Sequence, residues 1–420
     1  MARKLQAVGR AAAAFAVSVA ATGLSAVVTA PPATATPPKF VEVDPMAAGI
    51  HHPLALQVLG YDVNGSPLLT NNTTPSGYTP ATITRYLGLS GNGSGQTIAI
   101  VDAYDHPNIA SDLAVFDAKF GLPAPPSFKK VTQTGATKGY PPVDATWALE
   151  IALDVEWAHA IAPAANILLV EAKSTTYADM DAAIAYAAKQ SAVTVISNSW
   201  GSPEFNGETS LDSYCKLTAK LCVFSTGDNG NPGGYPAYNP YVLSVGGTTL
   251  NLTTDATTGA VSVLSEVAWS DSGGGVSLYE AKPAYQTENT YSKRGTSDVS
   301  YNADPATGFA VYDSVAYANQ TGWFQMGGTS AGAPQWSAII AVANQLRKAA
   351  GKTVLSATSS KSPYMANSTI YALSTGLADI TAGSTNGACG ATCTVSIGYD
   401  FVTGRGSPRT GIDLALKAAP

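Results

Sequence analysis

Between residues 97 and 245, short unbroken apolar runs alternate with longer stretches of helical period. Thr97-Ile98-Ala99-Ile100-Val101 is apolar and rich in β-branched residues, which predicts a strand buried on both faces. Ile167–Val170, Val193–Ser197, Leu221–Phe224 and Tyr241–Val245 read as strands of the same kind. Helices are predicted at Asn108–Phe120, at Asp144–Ile161 with Pro163 as its stop, at Tyr177–Lys189 and at Ser210–Ala219. A last long helix is predicted from Ala331 to Ala350, whereas residues 250–325 are Gly/Tyr/Ser-rich and predict irregular chain. Strand–helix alternation of this kind implies an α/β fold, a mostly parallel sheet with helices on both faces. Sites in such sheets lie beyond the carboxyl ends of the strands. No internal repeat or linker breaks the pattern, so residues 76–420 are expected to form one large domain.

The N-terminus changes the picture. Residues 1–35 carry Arg3, Lys4 and Arg10, then an Ala/Val-rich run from Ala11 to Ala30, and no acidic residue precedes Glu42. Ala33-Thr34-Ala35 supplies a small-x-small cleavage signal, so the segment reads as a secretory signal peptide. Residues 36–75, rich in Pro, Asn and Thr, read as a short prosegment or N-terminal extension. No later apolar run is long enough for a bilayer, so a secreted, extracellular, monomeric protein is expected, with no membrane partner after signal removal. Export would expose Cys215, Cys222, Cys389 and Cys393 to oxidising conditions, and their two close pairs predict two local disulfides. Charged residues make up only 12% of the chain, against roughly 25% in an average soluble protein. The net charge of -6, with no basic cluster after residue 10, excludes a nucleic-acid binder.

Candidate chemistry starts at Gly327-Gly328-Thr329-Ser330-Ala331-Gly332-Ala333-Pro334, where a Ser between glycines precedes a helix. It fits the G-x-S-x-G nucleophile elbow. The four His are His51, His52, His106 and His159, all before Ser330, so the α/β-hydrolase order of Ser, then acid, then His is excluded. A subtilisin-like Ser-His-Asp order using Asp102 with His106 or His159 stays open, although no His-Gly-Thr-His sequence is present. Another base is at hand. Glu150 and Asp154 stand at i and i+4 on the predicted helix among Trp147, Ile151, Ala158 and Ile161, with no Lys or Arg between 140 and 172. Two carboxyls crowded on an apolar face cannot both ionise readily, and sharing a proton is a known acid–base device. Asp228, in Thr226-Gly227-Asp228-Asn229-Gly230, follows a predicted strand at its carboxyl end.

Taken together, Glu150-x3-Asp154, Ala160-Ile161-Ala162-Pro163, Ser199-Trp200-Gly201, Ser225-Thr226-Gly227-Asp228, Ser272-Gly273-Gly274-Gly275-Val276-Ser277 and Gly328-Thr329-Ser330-Ala331-x2-Pro334 resemble the sedolisin family of serine-carboxyl peptidases, over about 77–408. The resemblance implies a subtilisin-like fold and secreted, acid-acting endopeptidase activity on protein or peptide substrates. It implies Ser330 as nucleophile, Glu150 as base, Asp154 as its support and Asp228 as oxyanion-hole donor, with Ser199, Trp200 and Gly201 binding substrate. It also implies one structural Ca2+ in a C-terminal loop region. Asp379 and Asp400 would give carboxylates, and Ile380, Ser396 and Gly398 carbonyls. A non-catalytic secreted binding protein on the same fold is the alternative reading.

Overall fold

The computed structural model describes residues 73–387 and 389–420, with the backbone of three short strands at Lys39–Glu42, His52–Pro53 and Gln57–Tyr61. The signal-peptide segment and most of the 36–75 extension lie outside the described residues. Among the described residues no helix is long and apolar enough to cross a membrane.

Eight strands build the main sheet, seven of them in one row, β1 (Thr97–Ala103), β2 (Phe128–Thr132), β3 (Asn166–Ala172), β4 (Val193–Asn198), β5 (Leu221–Ser225), β6 (Leu243–Thr254) and β7 (Val261–Ala268), with the strand at Val299–Asn302 pairing parallel to β6 off that row. Their order is β7-β6-β5-β4-β1-β3-β2, parallel throughout except for the terminal β6–β7 pair. All of β1 is buried, as its unbroken apolar run requires. Ile98 and Ile100 share one core with Leu169, Val195, Val223 and Val245, while Ala99, Val101 and Ala103 share the other with Val170, Ile196 and Phe224. Five helices matter here: α1 (Pro80–Leu87), α2 (Ile109–Phe120), α3 (Ala145–Ile161), α4 (Tyr177–Lys189) and α5 (Gly332–Ala349). Helices α3 and α5 cover the first core and α4 the second, so both faces are clad.

Helix α3 is capped by Asp144, whose carboxylate accepts from the N–H groups of Thr146 and Trp147 at 3.0 and 3.1 Å. From Trp147 to Ile161 every residue is buried, because sheet, α5, α2 and the strand at 309–317 enclose the helix. Trp157 donates its indole N–H to the Ala310 carbonyl at 2.9 Å, fixing the helix on that strand.

Two expectations are corrected. Residues 250–325 are not irregular. Besides the extension of β6 to Thr254 and β7, they carry β8 (Gly275–Ala281), β9 (Lys293–Thr296), β10 (Val299–Asn302), β11 (Phe309–Tyr317) and most of β12 (Gln320–Gly327). Bulges interrupt the β6–β7, β8–β9 and β11–β12 registers, which breaks the alternation by which strands are read from sequence. Ser210–Ala219 is not a helix but two 3-10 turns, Glu208–Ser210 and Asp212–Tyr214, followed by loop. Ala219 has φ of +62°, which no right-handed helix admits, and Cys215 is bonded to Cys222 in β5. The second disulfide joins Cys389 to Cys393, and the Cα–Cα separations of 5.8 and 5.5 Å are ordinary for such bridges.

Candidate active site

Strand β12 ends at Gly327 and the chain then makes a single 3-10 turn, Thr329–Ala331, ahead of α5. Gly328 holds φ at +108°, and a Cβ there would lie 2.6 Å from Asp228 Oδ2, so only glycine fits on both counts. This turn places Ser330, fully buried, at the amino end of α5.

Across from it, Glu150 and Asp154 are fully buried one turn apart on α3. The Ser330 hydroxyl lies beside the Glu150 carboxyl and pulls its pKa down, against burial and the nearby Asp102 and Asp228, which hold it well above the ordinary range. The pair is not aligned as a finished hydrogen bond, a common state of catalytic pairs without substrate. Asp154 is likewise raised by burial, then by Asp102 and Glu150, and accepts from Ser199 Oγ at 2.9 Å. Ser199 Oγ is also 3.2 Å from the Ser330 carbonyl, so this hydroxyl ties the end of β4 to both α3 and the serine turn.

Asp102 completes a trio of buried carboxyls. It sits near the end of β1, both its oxygens lack hydrogen-bond partners, and burial pushes it up to about 8. Sequence reasoning considered Asp102 only as a partner for histidine. An acidic residue at the carboxyl end of an otherwise apolar buried strand was the available signal.

Asp228 is arranged differently. Its Oδ1 accepts both the backbone N–H and the hydroxyl of Thr329 at 2.7 Å, and Thr329 Oγ1 in turn accepts from Gly227 N at 3.1 Å. Its Oδ2 is buried without a partner on the side of Gly328. Burial raises Asp228 to about 7 despite the Thr329 bonds. With Oδ1 occupied as an acceptor, the proton of the neutral form belongs on Oδ2, which leaves an O–H donor in the serine turn.

The described histidines are committed elsewhere. His159 Nε2 is 2.8 Å from the Pro123 carbonyl and 3.2 Å from Asp117. His106 Nε2 is 3.2 Å from Asp313 Oδ1 and 3.5 Å from Asp112 Oδ2. This trio could hold a metal by proximity alone, but His106 Nδ1 accepts from Asn108 N at 3.2 Å. That bond leaves the imidazole proton on Nε2, between the two carboxylates.

Of the proposed substrate edge, Ser199 faces α3 and the Trp200 side chain is buried, donating Nε1–H to Val101 O at 2.9 Å. The backbone at Trp200–Gly201 pairs antiparallel with His52–Pro53. This edge thus accepts an extended chain, here the protein's own His52–Pro53, which a substrate strand would have to displace.

At the C-terminal loop, Asp379 Oδ2 accepts from Gly398 N at 2.8 Å, and Asp400 Oδ2 is 3.5 Å from Ser396 N. Asp400 Oδ1 accepts from Val402 N and Thr403 N at 2.8 Å, and burial raises its pKa to about 6. The two carboxylates thus meet on one turn, 396–398, and neither has an ion-pair partner among the described residues. Asp400 Oδ2 also accepts from Thr403 Oγ1 at 2.9 Å; two carboxylates on one turn are hard oxygen donors of the kind Ca2+ takes.

Residues 145–387 match the subtilase family, Peptidase S8. The chain is 32% identical over 316 residues to kumamolisin of Bacillus sp. strain MN-32, covering 66% of this chain and 54% of that protein. It is 30% identical over 218 residues to sedolisin of Pseudomonas sp. strain 101, covering 47% and 32% respectively. The chain thus spans about half the length, or less, of these relatives. In fold it is similar to the structure of Pseudomonas sedolisin, a serine-carboxyl proteinase, complexed with two molecules of pseudo-iodotyrostatin. The TM-score is 0.65 at 24% identity, over 82% of this chain and 98% of that one. With a family match over more than half its length, the chain belongs to the subtilase family, and the curated relatives it resembles include kumamolisin and sedolisin.

Proposed function

We propose that the protein is a secreted serine-carboxyl endopeptidase acting in acid on protein or peptide substrates. The observation that carries this reading is the meeting of the Ser330 hydroxyl with buried Glu150, beside Asp228, whose Oδ2 is buried without a partner in the serine turn. Glu150 takes the hydroxyl proton as Ser330 Oγ attacks the peptide carbonyl, and Asp102 and Asp154 keep the charge shared among three acids. Asp228 Oδ2–H donates to the oxyanion as it forms. Glu150 then returns the proton to the departing amine, leaving an acyl-enzyme on Ser330 that water resolves by the same steps in reverse roles. The substrate runs along Ser199–Gly201 as an added strand, its backbone on Trp200 and Gly201.

Incubating an acid-denatured protein with the wild type across pH 2–8 should yield fragments only toward acid, and Ser330→Ala should yield none. Fragmentation by the Ser330→Ala protein, or a neutral-to-alkaline maximum, would refute the reading.

We also propose that Asp379, Ile380, Ser396, Gly398 and Asp400 hold one structural Ca2+. The ion would neutralise the two carboxylates and pin the 396–400 turn to the chain at 379–380. A ligand that binds only the folded state adds stability by mass action, about 2.7 kcal/mol at a hundredfold excess over Kd. A chelator should therefore lower the melting temperature, and Asp400→Ala should abolish the response. An identical melting curve with and without chelator removes the ion from the scheme.

A further inference from the structure

The chain makes one costly backbone choice beside the catalytic set. Tyr104, the residue after β1 and two after Asp102, has φ of +62°. Left-handed backbone at a bulky side chain is disfavoured and persists where its surroundings over-determine it, most often at functional sites. Here Tyr104 N donates to Ala172 O at 2.9 Å, and Asp105 N donates to Pro142 O at 3.1 Å. The turn brings Asp105 beside Val143 and lays the Tyr104 ring against Trp147, centroids 6.4 Å apart at 61°. Trp147 lies three residues before Glu150 on α3, and Val143, 50% exposed, precedes the helix cap. Tyr104 is itself only partly buried. On the neighbouring side stands the Trp200–Gly201 edge, joined to β1 through the indole of Trp200.

We propose that Tyr104 is a specificity-determining residue. Its ring, backed by buried Trp147 and beside exposed Val143, forms an apolar wall for a large aliphatic or aromatic side chain on the acyl side of the peptide. The nearest charged groups, Asp105 and Lys130, are paired with each other, so a charged side chain would lose hydration there without a free partner. The proposal rests on reading Ser330, Glu150 and Asp228 as a peptidase site.

The test is equilibrium binding to the full chain carrying Ser330→Ala, which needs no turnover. Two peptides differing only by Leu or Gly at one acyl-side position are compared at each such position in turn, with tryptophan fluorescence as readout. At one position the Leu peptide should bind about tenfold more tightly, as one apolar contact allows. Adding Tyr104→Gly or Tyr104→Ala should bring that ratio to about one, and Tyr104→Phe should keep it. Tyr104→Gly should not lower the melting temperature, because glycine relieves the backbone. A preference unchanged by Tyr104→Gly and Tyr104→Ala, an equal loss for both peptides, or no binding of either overturns the proposal. A wild type without turnover, whose peptide preference still depends on Tyr104, would count against the peptidase reading alone.

Discussion

A Glu150→Ala enzyme is expected to lose turnover on the order of 10⁴-fold, and adding Ser330→Ala should cost little more, because the two groups act as a unit. Asp228 gives the sharper result. Asp228→Ala removes the oxyanion donor and should cost about 100- to 1,000-fold in kcat. Asp228→Asn should retain part of the activity, since an amide keeps one oxygen for the Thr329 bonds and offers N–H where Oδ2–H stood. The pH profile separates these roles. Burial holds Glu150 above the ordinary carboxylate range, so the base is protonated as pH falls through that raised value and the acid limb lies in mild rather than strong acid. Asp228 loses its proton at about 7 and sets the alkaline limb. In Asp228→Asn the alkaline limb should flatten or move up while the acid limb stays. An unshifted alkaline limb would mean that some other group donates to the oxyanion.

The folded protein should be most stable in acid and lose stability steadily through neutrality. Burial raises Glu208 to about 9, Glu280 and Glu171 to about 8 and Asp181 to about 7. Like charges add to it, Glu204 acting on Glu208 and Asp212 on Glu280. The sign follows from linkage. These carboxyls keep protons in the folded state that the unfolded chain releases near pH ~4, so their stabilisation is complete below that range. It falls as pH rises, and is gone once pH passes the folded values of 7 to 9. Each group lowers stability with rising pH while it stays protonated only in the fold, and solvent screening makes the effect of Glu208 and Glu280 smaller than that of a fully enclosed acid. A melting temperature at least about 10 °C lower at pH 8 than at pH 5 is expected. Glu208→Gln and Glu280→Gln should each make the curve shallower. A curve that is flat or rises with pH would show these acids to be ionised in the fold.

Much of this was readable from residue types and spacing. The Glu150–Asp154 step needs only a helix to put both acids on one side, and the apolar residues around them signalled burial before any coordinates. Spacing could not reveal that α3 is enclosed on every side, since that depends on β11 and α5, more than 150 residues away. Asp102 joins the trio through sheet order alone: β1 is central because the chain goes out to β2, returns through β3 and crosses to β4. Nothing near Asp102 in sequence announces this. The motif suggests Ser199 as a substrate contact, while its side-chain bond to Asp154 is visible only in three dimensions.

The crowding of Asp102, Glu150 and Asp154 restricts what mutation can do to this molecule. A histidine at 150, the obvious route toward a neutral-pH enzyme, would enter a chamber with two carboxyls and no cation. It would be held as imidazolium, with no lone pair left for the serine proton. Position 150 cannot be traded alone, and only coordinated replacement at 102 and 154 would open that route. Under the proposed mechanism, single-site variation at 150 should therefore not yield a base that works at neutral pH.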